Sequence, residues 1–186
     1  MPIFQSVTFR HPELGNSTGF DYSRLENPTR QELERTMAIL EGGIKGFAFS
    51  SGQAANMSVF SLLNPGDHII MSDDIYGGTH LIVHDVFGKY GIAHTSVDLA
   101  DLDAVKAAIT PATKMIFIET PTNPVMKVAD IEELSKIAKS IVNISRTLGK
   151  IPCSFGISDI FPCEEQAKML GILTLCNAYH MGVSGV

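Results

Sequence analysis

The sequence lacks the features of a membrane, secreted or nucleic-acid-binding protein. No apolar run approaches the ~20 residues of a membrane span, and the first residues do not form the basic and then apolar regions of a secretory signal. Only 14 residues are basic against 20 acidic ones, giving a net charge of -6 without a Lys/Arg cluster. We therefore expect a soluble, cytoplasmic protein with neither a nucleic-acid nor a membrane partner.

Cysteine is scarce, and the three cysteines all lie after residue 150. Three thiols cannot all pair, so reduced thiols are expected rather than a disulfide framework. Apolar residues, in contrast, are plentiful. Hydrophobic residues make up 45% of the 186 residues and charged residues 18%, with a mean hydropathy of +0.16. This composition excludes disorder and predicts a folded core.

The first part of the sequence predicts an arm followed by a helix. Residues 1–28 are rich in turn-forming residues and show no sustained period, which is typical of an extended segment. Thr29 and Glu32 then have the spacing of a helix capping box, and apolar residues follow at helical spacing. A helix is predicted from residue 29 to the glycine pair at 42–43.

Four short apolar segments alternate with helical patterns in the next part of the sequence. The predicted strands are residues 46–49, 68–71, 92–97 and 114–119. The helical patterns between and after them cover residues 53–63, 79–90, 101–109 and 130–139. This alternation predicts an α/β fold with a mostly parallel sheet, helices on both faces, and ligands bound at the carboxyl ends of the strands.

Two loops at those strand ends contain residues suited to ligand binding. Ser51-Gly52-Gln53 joins a strand to a helix, where free N–H groups and the helix dipole attract an anion; an ordinary helix cap explains it equally well. Tyr76 can stack on a flat ligand, although a tyrosine there is more often a core or rim residue. His80 and His84 have metal-ligand spacing, but without a suitably spaced third ligand a structural role is favoured and no metal is expected.

Two further pairs of residues are weaker candidates. Tyr22 and Arg24 in the arm combine a phenol with a guanidinium, which together can clamp a phosphate; a solvated arm is the alternative. Glu119 and Asn123 place a carboxylate and an amide after the fourth predicted strand; the alternative is a turn held by its two prolines. Taken singly, each pair favours the structural alternative.

Five motifs in order along residues 2–140 make the pattern specific. They are Tyr22-Ser23-Arg24 with Asn27-Pro28-Thr29, Ser51-Gly52, Pro65-Gly66-Asp67, Tyr76-Gly77-Gly78-Thr79, and Glu119-Thr120-Pro121-Thr122-Asn123-Pro124. Together they resemble the cysteine and methionine metabolism family of pyridoxal-phosphate enzymes, and the arm looks closest to the cystathionine γ-synthase and β-lyase branch. The resemblance implies an incomplete fold type I large domain, similar to that of aspartate aminotransferase.

The resemblance also implies roles for the strand-end residues. Gly52 and Gln53 would donate backbone N–H groups to the phosphate of pyridoxal 5′-phosphate. Tyr76 would stack on the pyridine ring and assist proton transfer as the catalytic residue. The cofactor would act as an electron sink, so that a β or γ substituent leaves or is replaced on a sulfur-containing or O-acylated amino acid.

The remaining candidates receive roles in the same way. Asn123 would contact the ring oxygen or the substrate carboxylate, and Glu119 would hold the residues that contact the cofactor without touching it itself. Tyr22 and Arg24 would clamp the cofactor phosphate of a neighbouring subunit, which makes a homo-oligomer part of the site.

The resemblance stops at about Ser140, before the segments that supply the Schiff-base lysine and the aspartate on the pyridine nitrogen. Lys114 and Lys168 are not assigned as the anchor, and nothing places Asp159 at the cofactor. We expect a chain that is inactive alone; a non-catalytic module that binds a phosphate ligand or another subunit is the alternative. The expected organisation is an arm (1–28), a partial large domain (29–140) and an unmatched tail (141–186), either truncated or frame-shifted, or a divergent C-terminus.

Overall fold

The computed structural model describes residues 2–41, 45–122 and 124–144. From residue 52 onwards, helices and strands alternate in the predicted order. The helices are α1 (Pro28–Leu40), α2 (Gly52–Phe60), α3 (Gly77–Leu81), α4 (Leu102–Ala108) and α5 (Ile131–Ile144), and the strands are β1 (His68–Ser72), β2 (Ala93–Val97) and β3 (Thr113–Phe117). After α3 the chain continues as a π-helical turn (Ile82–Val86) and a 3-10 turn (Phe87–Tyr90).

The three strands form a parallel sheet in the order β2-β1-β3. Central strand β1 is buried along its whole length, and its side chains alternate between two cores. Ile69 and Met71 pack with Phe60 of α2, whereas Ile70 packs with Val105 of α4 and Leu134 of α5. The expected parallel sheet with helices on both faces is therefore confirmed.

The predicted strand at residues 46–49 is wrong, because this segment pairs with no strand among the described residues. The Ala48 N–H donates to Glu34 Oε1 of α1 at 2.9 Å instead of to a neighbouring strand. Phe49 is also half-exposed. An apolar run of this length does not form a strand unless a partner strand takes up its backbone groups.

The predicted capping box at Thr29 and Glu32 is also wrong. The helix begins one residue earlier, at Pro28, and Asn27 caps it by accepting the Thr29 N–H at 2.9 Å. Thr29 thus lies inside the first turn, and its hydroxyl accepts the Phe4 N–H at 2.9 Å. The Glu32 carboxylate pairs with Arg35 on the same helix face.

Within residues 2–27, the described part of the arm before α1, no helix forms and the chain folds back on itself. Thr8 and Tyr22 form an isolated antiparallel bridge, so the predicted extended segment runs out and returns. The Asn27 amide donates to the Phe4 carbonyl at 3.1 Å, which joins the start of the arm to the start of α1.

Helix α5 begins where the sequence predicts. Asp130 accepts the Glu133 N–H at 3.0 Å, and the helix continues to Ile144, beyond the predicted end at Lys139. None of the helices in the described ranges is both long and apolar enough to cross a bilayer. The three cysteines, Asp159 and Lys168 lie outside the described residues.

Candidate functional site

The first turn of α2 presents unpaired backbone donors. Ser51 is the N-cap, with an extended backbone, and its hydroxyl accepts the Ala54 N–H at 3.2 Å. Within the described ranges, the N–H groups of Gly52 and Gln53 have no acceptor. These donors and the positive end of the helix dipole can bind an anion.

Tyr76 lies beside this turn, because β1 ends at Ser72 and the chain then crosses the carboxyl edge of the sheet into α3. The Tyr76 side chain is 43% exposed. Its ring packs over Gly78 so closely that a Cβ on that glycine would lie 2.6 Å from Tyr76 Cε1. The ring is therefore in contact with Gly78 and still accessible to a flat ligand.

Side chains join the two helix starts. Gln53 Nε2 donates to the Thr79 hydroxyl of α3 at 3.1 Å, and the same nitrogen would lie 3.2 Å from a Cβ on Gly78. The Tyr76 N–H in turn donates to Glu119 Oε2, two residues after β3, at 3.2 Å. The structure thus brings together four predicted residues, Gly52, Gln53, Tyr76 and Glu119, at one edge of the sheet.

A second polar cluster ties down the loop that follows β3. Asp74 Oδ2 accepts hydrogen bonds from the Thr122 hydroxyl at 2.5 Å and from the Val125 N–H at 3.0 Å. Lys127 Nζ lies 2.9 Å from carboxylate oxygens of both Asp73 and Asp98, and these bonds raise the pKa of Lys127. The loops after all three strands are therefore fixed to one another.

The sequence analysis missed this cluster and the role of Thr79. Asp73 and Asp74 follow the strand predicted at 68–71, and the sequence indicates no partners for them. The partners of Asp73 and Asp74 lie 48 to 54 residues away in sequence, so no local spacing reveals them. The one available signal was position, since both aspartates directly follow the central strand.

Two of the predicted residues stay apart from this edge. The Arg24 guanidinium lies over the Tyr22 ring, 4.8 Å from its centroid. In the described part of the chain, neither residue hydrogen-bonds to Gly52, Gln53 or Tyr76. Asn123 lies outside the described residues.

The histidine pair belongs to a different cluster. The rings of His80, His84 and His94 lie with centroids 5.6 to 6.1 Å apart, and burial is the main cause that lowers the pKa of His94. Among the described residues, no three His, Cys, Asp or Glu side chains are arranged to hold a metal ion.

The family model described as "Cys/Met metabolism PLP-dependent enzyme" matches residues 1–147. The chain belongs to this family. The fold type I large domain implied by the sequence is confirmed, since the α/β structure with its parallel sheet resembles solved members of the family.

Among relatives in this family, cystathionine β-lyase of Lactococcus lactis subsp. cremoris is 51% identical over 140 residues, which cover 75% of the chain and 37% of the relative. Cystathionine γ-synthase/O-acetylhomoserine (thiol)-lyase of Bacillus subtilis is 48% identical over 138 residues, covering 74% and 37%. The chain thus spans little more than a third of the length of these relatives.

Solved structures agree with this assignment. Cystathionine γ-lyase from Lactobacillus plantarum, complexed with L-serine, superposes with a TM-score of 0.69 at 48% identity. The match covers 75% of this chain and 36% of that one. The metB protein of Corynebacterium glutamicum gives a TM-score of 0.71 at 44% identity, covering 75% and 37%.

The described residues fit the phosphate and ring of the family's cofactor. Gly52 and Gln53 offer two N–H donors without an acceptor, and the Tyr76 ring and the Gln53 side-chain amide both lie against Gly78. Gly78 leaves room for that ring where any side chain would collide. The chemistry of these residues therefore fits a phosphorylated flat molecule.

Proposed function

We propose that the chain binds pyridoxal 5′-phosphate between the first turn of α2 and the Tyr76 ring, and that it represents the first part of a trans-sulfuration enzyme. The observation that carries the proposal is the pair of acceptor-free N–H groups at Gly52 and Gln53 beside an exposed aromatic ring. When bound, this cofactor withdraws electrons from an amino acid, so that a β or γ substituent leaves or is replaced.

Each candidate site residue has a defined task in this proposal. Gly52 and Gln53 hold the phosphate through their N–H groups, and Tyr76 stacks on the ring and holds a proton at its phenol oxygen. Glu119 fixes the backbone of Tyr76 through the 3.2 Å hydrogen bond. Asn123 is proposed to contact the ring oxygen or the substrate carboxylate.

The proposed substrate is a sulfur-containing or O-acylated amino acid, and the proposed location is the cytoplasm. The names of the relatives, cystathionine β-lyase and γ-synthase, support this substrate class. The matched motifs include neither an anchoring lysine nor an aspartate for the pyridine nitrogen. We therefore expect this chain to bind the cofactor without turning over substrate by itself.

The ligand for the binding test is 4′-deoxypyridoxine 5′-phosphate, in which a methyl group replaces the aldehyde. It cannot form imines with surface lysines, so its binding reports the non-covalent cradle. Equilibrium dialysis of the chain with this ligand, and with its dephosphorylated form, measures the contribution of the phosphate. We expect the phosphorylated form to bind and the dephosphorylated form to bind at least roughly tenfold more weakly, since hydrogen bonds to charged groups are strong.

A matched pair of variants isolates the backbone donor. Gly52→Pro removes one N–H at the first helical position, where proline is tolerated, and Ser51 before it already has the extended backbone that proline requires. Gly52→Ala adds a Cβ but keeps the N–H. Affinity should fall about tenfold or more in Gly52→Pro and much less in Gly52→Ala.

Other outcomes decide against the proposal. Equal binding of the phosphorylated and dephosphorylated ligands would refute the phosphate cradle. If inorganic phosphate bound as tightly as the phosphorylated ligand, the ring would add nothing, and the chain would be a general phosphate-binding module instead.

The arm is proposed to complete the site of a neighbouring subunit. Arg24 is exposed, and its stacking on Tyr22 holds the guanidinium in place without engaging its N–H donors. If a second copy supplies Arg24, ligand affinity should rise with chain concentration, and Arg24→Ala should abolish that rise. An affinity independent of concentration in the unaltered chain would contradict this arrangement.

A further inference from the structure

A buried hydroxyl joins the two helices that form the candidate site. Thr79, in α3, is 1% exposed, and its Oγ1 accepts hydrogen bonds from two amides of α2. Gln53 Nε2 donates at 3.1 Å and Asn56 Nδ2 at 3.2 Å. Gln53 and Asn56 lie three positions apart on one face of α2, so both amides reach the same oxygen.

This convergence saturates the hydroxyl. A hydroxyl oxygen has two acceptor positions, and the two amides occupy both. Because Thr79 and Asn56 are buried, water cannot replace a lost partner, and each bond is costly to break. The junction therefore holds the start of α3 at a fixed distance from the start of α2.

Tyr76 is attached directly to this junction. Its carbonyl accepts the Thr79 N–H at 2.9 Å, which places the tyrosine one turn before the clamped hydroxyl. Its ring lies against Gly78, where the Gln53 amide also lies. A shift of Thr79 or of the Gln53 side chain therefore changes the contacts of the Tyr76 ring.

Gln53 retains a polar side chain at a cost. Its Oε1 is buried and has no partner among the described residues, which is unfavourable by comparison with an apolar side chain of the same length. An apolar residue would fill the space without this cost. The amide is retained, in our interpretation, because it fixes a geometry.

We propose that Gln53, Asn56 and Thr79 form a positioning junction that sets the Tyr76 ring relative to the phosphate-binding turn of α2. This inference rests on the proposed function for its purpose. The side chain of Gln53 thus has a task separate from that of its backbone N–H. None of the three residues needs to touch the cofactor through its side chain.

Fluorine NMR of the chain labelled with 3-fluorotyrosine tests the junction without a ligand. The chain has four tyrosines, and Tyr76→Phe identifies the Tyr76 resonance. Thr79→Val and Gln53→Met preserve size while removing the hydrogen bonds, and each should shift or broaden that resonance. Thr79→Ser keeps the hydroxyl and should leave the Tyr76 resonance as it is in the unaltered chain.

Ser58→Ala is the matched control. It removes a side-chain hydrogen bond within α2, from the Ser58 hydroxyl to the Ala54 carbonyl at 2.9 Å, that does not reach α3. This variant should leave the Tyr76 resonance in place. The junction is refuted if Gln53→Met and Thr79→Val leave the Tyr76 resonance unchanged, or if they shift all the tyrosines equally, since the latter indicates a general role in folding.

Ligand binding separates the two proposals. If the junction positions Tyr76 for the cofactor, Gln53→Met should lower the affinity for 4′-deoxypyridoxine 5′-phosphate about two- to tenfold, because part of the aromatic contact is lost. If the unaltered chain binds no ligand but the Tyr76 resonance still responds to Gln53→Met, the proposed function fails and the junction stands. If binding occurs and neither readout responds, the junction fails and the proposed function stands.

Discussion

Gly78→Ala should weaken ligand binding without destabilising the chain. The added Cβ would lie 2.6 Å from Tyr76 Cε1 and 3.2 Å from Gln53 Nε2. Carbon atoms pack at about 3.5 to 4.0 Å, so the ring must move by about 1 Å. Because the ring is 43% exposed, it can move towards solvent at little cost.

The expected effects on stability and on binding therefore have opposite signs. Alanine is a better helix former than glycine by up to roughly 0.5 to 1 kcal/mol, the value for a helix interior, and Gly78 lies in the first turn of α3, so the melting temperature should stay level or rise slightly. A displaced ring loses stacking worth about 0.5 to 1.5 kcal/mol, which corresponds to an affinity roughly two- to tenfold lower for 4′-deoxypyridoxine 5′-phosphate. Equilibrium dialysis and thermal denaturation measure the two effects.

Gly77→Ala is the matched control, since it makes the same substitution one residue earlier in α3. A Cβ on Gly77 meets nothing within 4 Å. This variant should keep the affinity of the unaltered chain. Equal affinities of the two variants would refute the reasoning, because the contact with Tyr76 would then have no consequence for binding.

Three further predictions concern stability and are read by thermal denaturation. Lys127→Met should lower the melting temperature, because it leaves Asp73 and Asp98 facing each other, and the loss should shrink in concentrated salt. Burial and nearby histidines lower the pKa of His94, so the unfolded chain binds more protons than the folded chain as the pH falls. Lowering the pH from 7.5 to 5.5 should therefore destabilise the chain, and His94→Asn should reduce this pH dependence. Asn27→Ala should cost about 1 kcal/mol by removing the cap of α1.

Each of these predictions has its own contrary result. A loss in Lys127→Met that persists unchanged at high salt would show that the ion cluster is not its cause. A melting temperature that rises as the pH falls from 7.5 would contradict the pKa direction at His94. Glu32→Ala should disturb α1 less than Asn27→Ala does, and the reverse order would favour the capping box that the sequence predicted.

Local pattern predicted the framework of the fold well. The continuous apolar run at Ile69, Ile70 and Met71 predicts a strand buried on both faces, and parallel order follows from the helices between strands. The segment at 46–49 has the same apolar character but no partner strand in the described residues. Pairing depends on distant parts of the chain, so composition alone cannot distinguish these two runs.

The order of the parallel strands predicts which loops meet at the candidate site, but it does not predict the side-chain contacts between them. Parallel strands bring their carboxyl ends to one edge, which places Tyr76 and Glu119 near each other without knowledge of side chains. The hydrogen bonds from Gln53 and Asn56 to Thr79 depend instead on the rotation of α2 relative to α3. No spacing in the sequence encodes that rotation, so the junction emerged only from the structure.

The same edge of the sheet explains why binding without covalent attachment is expected. Lys114 lies on β3 next to its first residue, and Glu119 follows five residues later, about 16 Å further along an extended chain. Lys127 does lie at the carboxyl edge, but two carboxylates hold its ammonium and raise its pKa, whereas imine formation requires a neutral amine. Neither lysine is suited to anchor the cofactor, so in the proposed function the affinity of this part of the chain depends on its N–H donors and on the position of Tyr76.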